Sequence, residues 1–67
     1  MPELKSVIAR NIVALRKSAN WTQAELALKL NYSDKAISKW ERAESTPDVD
    51  VLKNMADLFQ VPVSYFF

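Results

Sequence analysis

Two helical segments of this chain are joined by only three residues, Asn31, Tyr32 and Ser33. The helix before the joint begins after Thr22, a favourable N-cap, and Glu25 three residues later can complete a capping box. The helix after the joint begins after Ser33, and Asn31 suits the left-handed conformation that ends a helix in the absence of glycine. So short a joint does not allow a long, flat hairpin. It favours two helices that cross steeply.

Apolar residues at helical spacing predict further helices on both sides of this pair. The first spans about residues 3–19, with a stripe formed by Leu4, Ile8, Ile12 and Leu15. A helix after the pair is capped by Asp48, or by Thr46 with Pro47 at its first position. Its predicted core face is Leu52, Met55, Ala56 and Phe59. With a last short turn or helix in residues 61–67, the fold class is all-α: a compact five-helix domain over residues 1–67.

The composition excludes several classes of function. The 67 residues contain no cysteine and no histidine, which removes disulfides, thiolate zinc sites and the commonest general base. We therefore expect no enzyme, no cofactor and no metal site. No apolar run approaches the roughly 20 residues that span a bilayer, so we expect no membrane contact and a cytoplasmic location.

Charge is distributed unevenly along the chain. Residues 1–42 carry eight basic and four acidic side chains, a net charge of +4, whereas residues 43–67 carry one basic and four acidic side chains, a net charge of −3. A basic front and an acidic back can orient a domain on a polyanion although the total is only +1. Two ordinary solvated surfaces would give the same pattern by chance.

The third helix has a distinct inner and outer face. Ile37 and Trp40 are spaced to be buried, and the spacing of Trp21 likewise favours a core position over base stacking. The outer face then consists of Asp34, Lys35, Ser38 and Lys39, with Ala36 at its edge. From the spacing alone, this face is either a binding surface or an ordinary solvated one.

The stretch TQAELALKLNYSDKAISKWERAESTPDVDVLKNMADLF resembles the phage repressor/Cro-type helix-turn-helix domains, the XRE-like group. That family's pattern reads approximately T-Q-x-E-L-A-x-x-L, a turn, S-x-x-x-I-S-x-W-E-R-G, a proline and an amphipathic helix. The matching residues are Thr22, Gln23, Glu25, Leu26, Ala27, Leu30, Ser33, Ile37, Ser38, Trp40, Glu41, Arg42 and Pro47. The resemblance covers essentially the whole chain and implies a lambda-repressor-like fold with its helix-turn-helix at about residues 22–42.

The resemblance also implies a function. It indicates a sequence-specific, double-stranded DNA-binding transcriptional regulator, expected to be a repressor, or the DNA-binding domain of one, with residues 34–42 in the major groove. The implied base contacts are Asp34, Lys35, Ala36, Ser38 and Lys39. The implied phosphate contacts are Thr22, Gln23 and Arg42. The implied structural ion pair is Arg16 with Glu41.

Three departures from the family pattern lie at helix ends. Ala43 and Gln60 stand where the family has glycine, and Pro62 stands where a cap is expected. Either these joints adopt other geometries or the domain gives up some stability. The tail also suggests a homodimer contact through Val63, Phe66 and Phe67. The alternative function is a protein-interaction module that keeps this fold without reading DNA.

Overall fold

The computed structural model describes residues 3–67; residues 1 and 2 of the predicted domain lie outside that range. Four α-helices follow one another in the described chain: α1 (Leu4–Ser18), α2 (Gln23–Leu30), α3 (Asp34–Glu41) and α4 (Val49–Phe59). Instead of a fifth α-helix there is one turn of 3₁₀ helix, Val63–Phe66, which we call the C-terminal turn. Across residues 3–67, none of the helices has both the length and the apolar character needed to cross a membrane.

Side chains cap the N-termini of α2, α3 and α4. The Thr22 Oγ1 accepts from the Glu25 N–H at 3.0 Å and the Glu25 Oε1 accepts from the Thr22 N–H at 2.9 Å, so the predicted capping box is confirmed. The Ser33 Oγ accepts from the Ala36 N–H at 3.3 Å. Of the two caps predicted for α4, the structure has Asp48, whose Oδ1 accepts an N–H three residues on at 3.0 Å. Each such cap contributes about 1 kcal/mol.

Each of the four α-helices is followed by the same left-handed turn. The residues with positive φ, between 58° and 64°, are Asn20, Asn31, Ala43 and Gln60. In every turn the next residue donates its N–H to the carbonyl five positions back, at 2.9 to 3.1 Å, which is the Schellman arrangement. Because the chain has no glycine, all four positions carry a Cβ. Ala43 and Gln60 therefore adopt the left-handed conformation that glycine takes most readily, and the domain forgoes the stability that glycine would add.

The core lies where the four helices meet. Its buried members are Ile8, Ile12, Leu26, Ala27, Ile37, Trp40, Val51, Leu52, Met55, Ala56 and Phe66. Phe59, predicted on the core face of α4, is half-buried, and its ring lies 5.2 Å from that of Trp21, centroid to centroid. Leu4, predicted in the apolar stripe of α1, is 59% exposed. The core thus begins one turn further into α1 than its periodicity predicts.

Phe66 corrects one prediction for the C-terminal turn. Its side chain is completely buried, and its carbonyl accepts a hydrogen bond from the Asn11 Nδ2 of α1 at 3.0 Å. It therefore anchors the turn to the domain's own core and is unavailable to a dimer partner, so this part of the predicted dimer contact is wrong. Its neighbours Val63 and Phe67 remain exposed.

Candidate nucleic-acid interface

The inner face of α3 fixes how its outer face is presented. Ile37 and Trp40 are buried, and the Trp40 ring packs edge-on against Tyr32 at 5.2 Å between centroids. Four of the five outer positions behave as their spacing predicts, whereas Ser38, predicted on the exposed face, lies at its edge like Ala36. Asp34, Lys35 and Lys39 are exposed, and Ala36 and Ser38 are half-buried.

Three basic residues form one line along this outer face. Lys35, Lys39 and Arg42 stand at spacings of four and three, which places them on the same side of a helix over about 10 Å. We call these three residues the basic stripe. Arg42 belongs to it although α3 ends at Glu41, because Arg42 is the C-cap and its N–H still donates to the Ser38 carbonyl, four positions back, at 3.0 Å. The stripe presents donors that suit phosphate oxygens or the guanine edge.

An acidic residue meets the far end of the basic stripe. The left-handed turn at Ala43 reverses the chain, and the Glu44 carboxylate forms an ion pair with the Arg42 guanidinium. Both side chains are more than half exposed. This contact was not predicted from the sequence, although two opposite charges on either side of a turn were a signal that could have suggested it.

Arg16 and Glu41 join the first helix to the end of α3. The Arg16 Nε donates to the Glu41 Oε2 at 2.7 Å and the Nη2 donates to the Oε1 at 3.0 Å. The Arg16 Nη1 also donates to the Trp21 carbonyl at 2.8 Å. The hydrogen bonds to Glu41, reinforced by its charge, raise the pKa of Arg16 against the opposing effect of burial. The guanidinium therefore stays charged and holds α1, the start of α2 and the end of α3 in one arrangement.

Gln23 belongs to the same network. Its Nε2 donates to the Glu41 Oε1 at 3.0 Å, so one of its two amide hydrogens is already used inside the protein. The family resemblance implied only a phosphate contact for Gln23. No local pattern signals this bond, since it depends on how α2 and α3 cross. The second amide hydrogen is left to donate a hydrogen bond to an anion such as a phosphate.

Gln23 is the first residue of α2, and the capping box of Thr22 and Glu25 lies in the same turn. The hydrogen bond from the Thr22 N–H to the Glu25 carboxylate is the main cause that lowers the pKa of Glu25, and a second hydrogen bond with the Thr22 side chain lowers that pKa further. Thr22 is exposed, and its Oγ1 accepts the Glu25 N–H within the cap. The N–H groups at the start of a helix have no partner within the helix, which favours an anion there.

Comparison with known proteins places this geometry among related domains. The family model described as Helix-turn-helix matches residues 12–66. The chain is 33% identical over 58 residues to the HTH-type transcriptional regulator ImmR of Bacillus subtilis, covering 87% of this chain and 46% of that protein. It is 41% identical over 49 residues to the HTH-type transcriptional activator BcrR of Enterococcus faecalis, covering 73% and 24%. The chain thus spans less than half the length of the curated relatives it matches.

Two solved structures have the same fold. One is a hypothetical transcription factor, NHTF, from Neisseria, with a TM-score of 0.88, 25% identity, and coverage of 96% of this chain and 74% of that one. The other is the clp gene regulator ClgR from C. glutamicum, with a TM-score of 0.87, 20% identity, and coverage of 98% and 86%. Similarity at this level extends over the four helices and the C-terminal turn.

Proposed function

The chain belongs to the helix-turn-helix family, and from that premise we propose that it is the sequence-specific, double-stranded DNA-binding domain of a transcriptional regulator. The family is one of regulators and not of enzymes. All four helices and the C-terminal turn share one core, which supports a single domain. A repressor remains our proposal for the sense of regulation, although one relative is named an activator. We also propose a cytoplasmic location.

The single observation that carries this proposal is the basic stripe on the outer face of α3. A helix fits the major groove of B-form DNA, where Lys35 and Lys39 would donate to guanine O6 and N7. Asp34 would accept from cytosine N4, and the Ala36 methyl would contact a thymine methyl. Ser38 would reach a base or a phosphate. Ala36 and Ser38 are half-buried, which supports our assigning them to the edges of the proposed contact, with the lysines at its centre.

The start of α2 and the end of α3 would bind the DNA backbone on either side of the groove. Thr22 and Gln23 would contact a phosphate at the α2 N-terminus, where unpaired N–H groups and the helix dipole favour an anion. Arg42 would contact another phosphate. Contacts of this kind fix the register of the domain on the duplex, whereas the α3 contacts read its sequence.

Lys35→Ala tests the reading of bases. A preferred duplex is first selected from a random pool, and binding is then measured on that duplex and on unrelated duplexes. We expect Lys35→Ala to cost about 1–3 kcal/mol on the preferred duplex and to relax discrimination at one position. Lys53→Ala is the matched control, because it removes an exposed lysine from α4, outside the proposed interface. Equal binding by the parent and Lys35→Ala would contradict the groove assignment.

Gln23→Ala tests the phosphate contact. We expect weaker binding that is similar across sequences, because a phosphate contact carries no base information. Its unfolding must be measured in parallel, since the same change removes the hydrogen bond to Glu41. The protein-interaction alternative is tested by salt: DNA binding must weaken steeply as salt rises, whereas an apolar protein contact barely responds.

We further propose a homodimer through the exposed residues of the C-terminal segment, Val63 and Phe67. Two-fold dimers of such domains bind half-sites about one helical turn apart. Sedimentation of Phe67→Asp is expected to show monomers, and Leu28→Asp, at an 83% exposed position on α2, is the control expected to leave a dimer intact. A dimer that survives Phe67→Asp would assign the contact to another surface.

A further inference from the structure

We propose that Glu44 is a competing carboxylate that occupies Arg42 in the free protein, so that DNA binding must exchange the Glu44–Arg42 ion pair for an Arg42–phosphate pair. The inference rests on the proposed function. Arg42 is the last residue of the basic stripe. Of the three stripe residues it is the only one that forms an ion pair within the described residues 3–67. Glu44 would therefore lower the affinity for DNA by occupying Arg42, without touching the duplex itself.

The backbone explains why Glu44 meets Arg42. Ala43 adopts the left-handed conformation, and the Glu44 N–H then bonds to the Lys39 carbonyl at 2.9 Å. This bond returns the chain to the last turn of α3, beside the stripe. The pairing thus follows from the left-handed turn that ends α3.

The pair is built to modulate binding and not to block it. Both side chains are more than half exposed, and exposed ion pairs of this kind are weak and screened by salt. When Arg42 binds a phosphate, the duplex releases a counterion. The vacated Glu44 carboxylate takes up a cation at the same time, which cancels much of that release. Removing the carboxylate should therefore increase both the affinity and its dependence on salt.

Glu44→Gln is the test, with Asp57→Asn as its matched control. Each change removes one carboxylate from an exposed ion pair and raises the net charge by one, and Asp57 pairs with Lys53 at 3.2 Å on α4, outside the proposed interface. We expect Glu44→Gln to bind both preferred and random duplexes about two- to fivefold more tightly at 0.1 M salt. The slope of log affinity against log salt should become more negative by up to about 0.9, the full value for one phosphate contact. Asp57→Asn should change affinity less and leave the slope unaltered.

Glu44→Gln could tighten DNA binding in two ways: by releasing Arg42 from its ion pair, or by removing the repulsion between the Glu44 carboxylate and the phosphates of DNA. Repeating Glu44→Gln in an Arg42→Ala background separates the two. The gain should disappear in that background, because there is no guanidinium to release. A gain of the same size with and without Arg42 would overturn the inference, as would a Glu44→Gln protein that binds like the parent. If the parent itself bound no duplex at low salt, the proposed function would fail, and this inference with it.

Discussion

Ala43→Gly should stabilise the domain, because the residue it replaces is held in a left-handed conformation with φ 60°. That conformation costs a residue with a Cβ about 1–2 kcal/mol relative to glycine. Glycine, however, lowers the free energy of unfolding by about 0.4–1 kcal/mol, because it has more conformational freedom than alanine in the unfolded chain. Taking the middle of each range, the net gain in the free energy of unfolding is about 0.8 kcal/mol. For a domain of this size, that raises the midpoint of thermal unfolding by about 3 to 6 °C.

Urea unfolding, with the slope m unchanged between variants, measures this gain. Ala14→Gly is the matched control: Ala14 is exposed in the middle of α1, where the same chemical change should cost about 1 kcal/mol. The two substitutions thus have opposite expected signs. If Ala43→Gly destabilised the domain as Ala14→Gly does, residue 43 would not hold the left-handed turn in solution. The explanation for the Glu44–Arg42 pairing would be lost with it.

Three further outcomes are expected from urea unfolding. Phe66→Ala should cost about 3–5 kcal/mol because the ring is fully buried, whereas Phe67→Ala, at a 57% exposed ring, should change stability by less than about 0.5 kcal/mol. Arg16→Met should cost about 3 kcal/mol or more, since the Glu41 carboxylate, 6% exposed, would be left in the interior without its partner. The lowered pKa of Glu25 means that its stabilisation is present above the pKa of the unfolded chain and is lost as pH falls through the folded-state pKa. In Glu25→Gln the free energy of unfolding should therefore fall less steeply at acid pH than in the parent. The same steepness in both proteins would contradict the capping role.

The helix boundaries could be predicted because their signals are local. Thr22, Ser33 and Asp48 each accept an N–H three residues ahead, and that interaction depends on only one turn of backbone. Asn31 was predicted in the left-handed conformation for a similar reason, as asparagine tolerates it better than most residues. These features need no knowledge of how the helices pack.

The side-chain contacts between elements could not be predicted from the residues themselves. The bond from Gln23 to Glu41 joins residues 18 apart, and nothing near either residue indicates that the start of α2 lies beside the end of α3. The pairing of Arg16 with Glu41 was expected only from a family resemblance. Phe66 and Phe67 are chemically identical neighbours, and a single 3₁₀ turn is too short for periodicity to show which one points inward.

α3, the helix that we propose enters the major groove, is too short to be stable by itself, and this decides how substitutions at the proposed interface must be interpreted. α3 has eight residues, and isolated helices below about 12 residues are marginal in water. Its rigidity comes from the Ser33 cap, the buried Ile37 and Trp40, and the tie from Glu41 to Arg16. A change at any of these sites alters DNA binding through the population of folded α3. Exposed stripe residues such as Lys35 lie outside this set, so only their substitutions can separate recognition from stability.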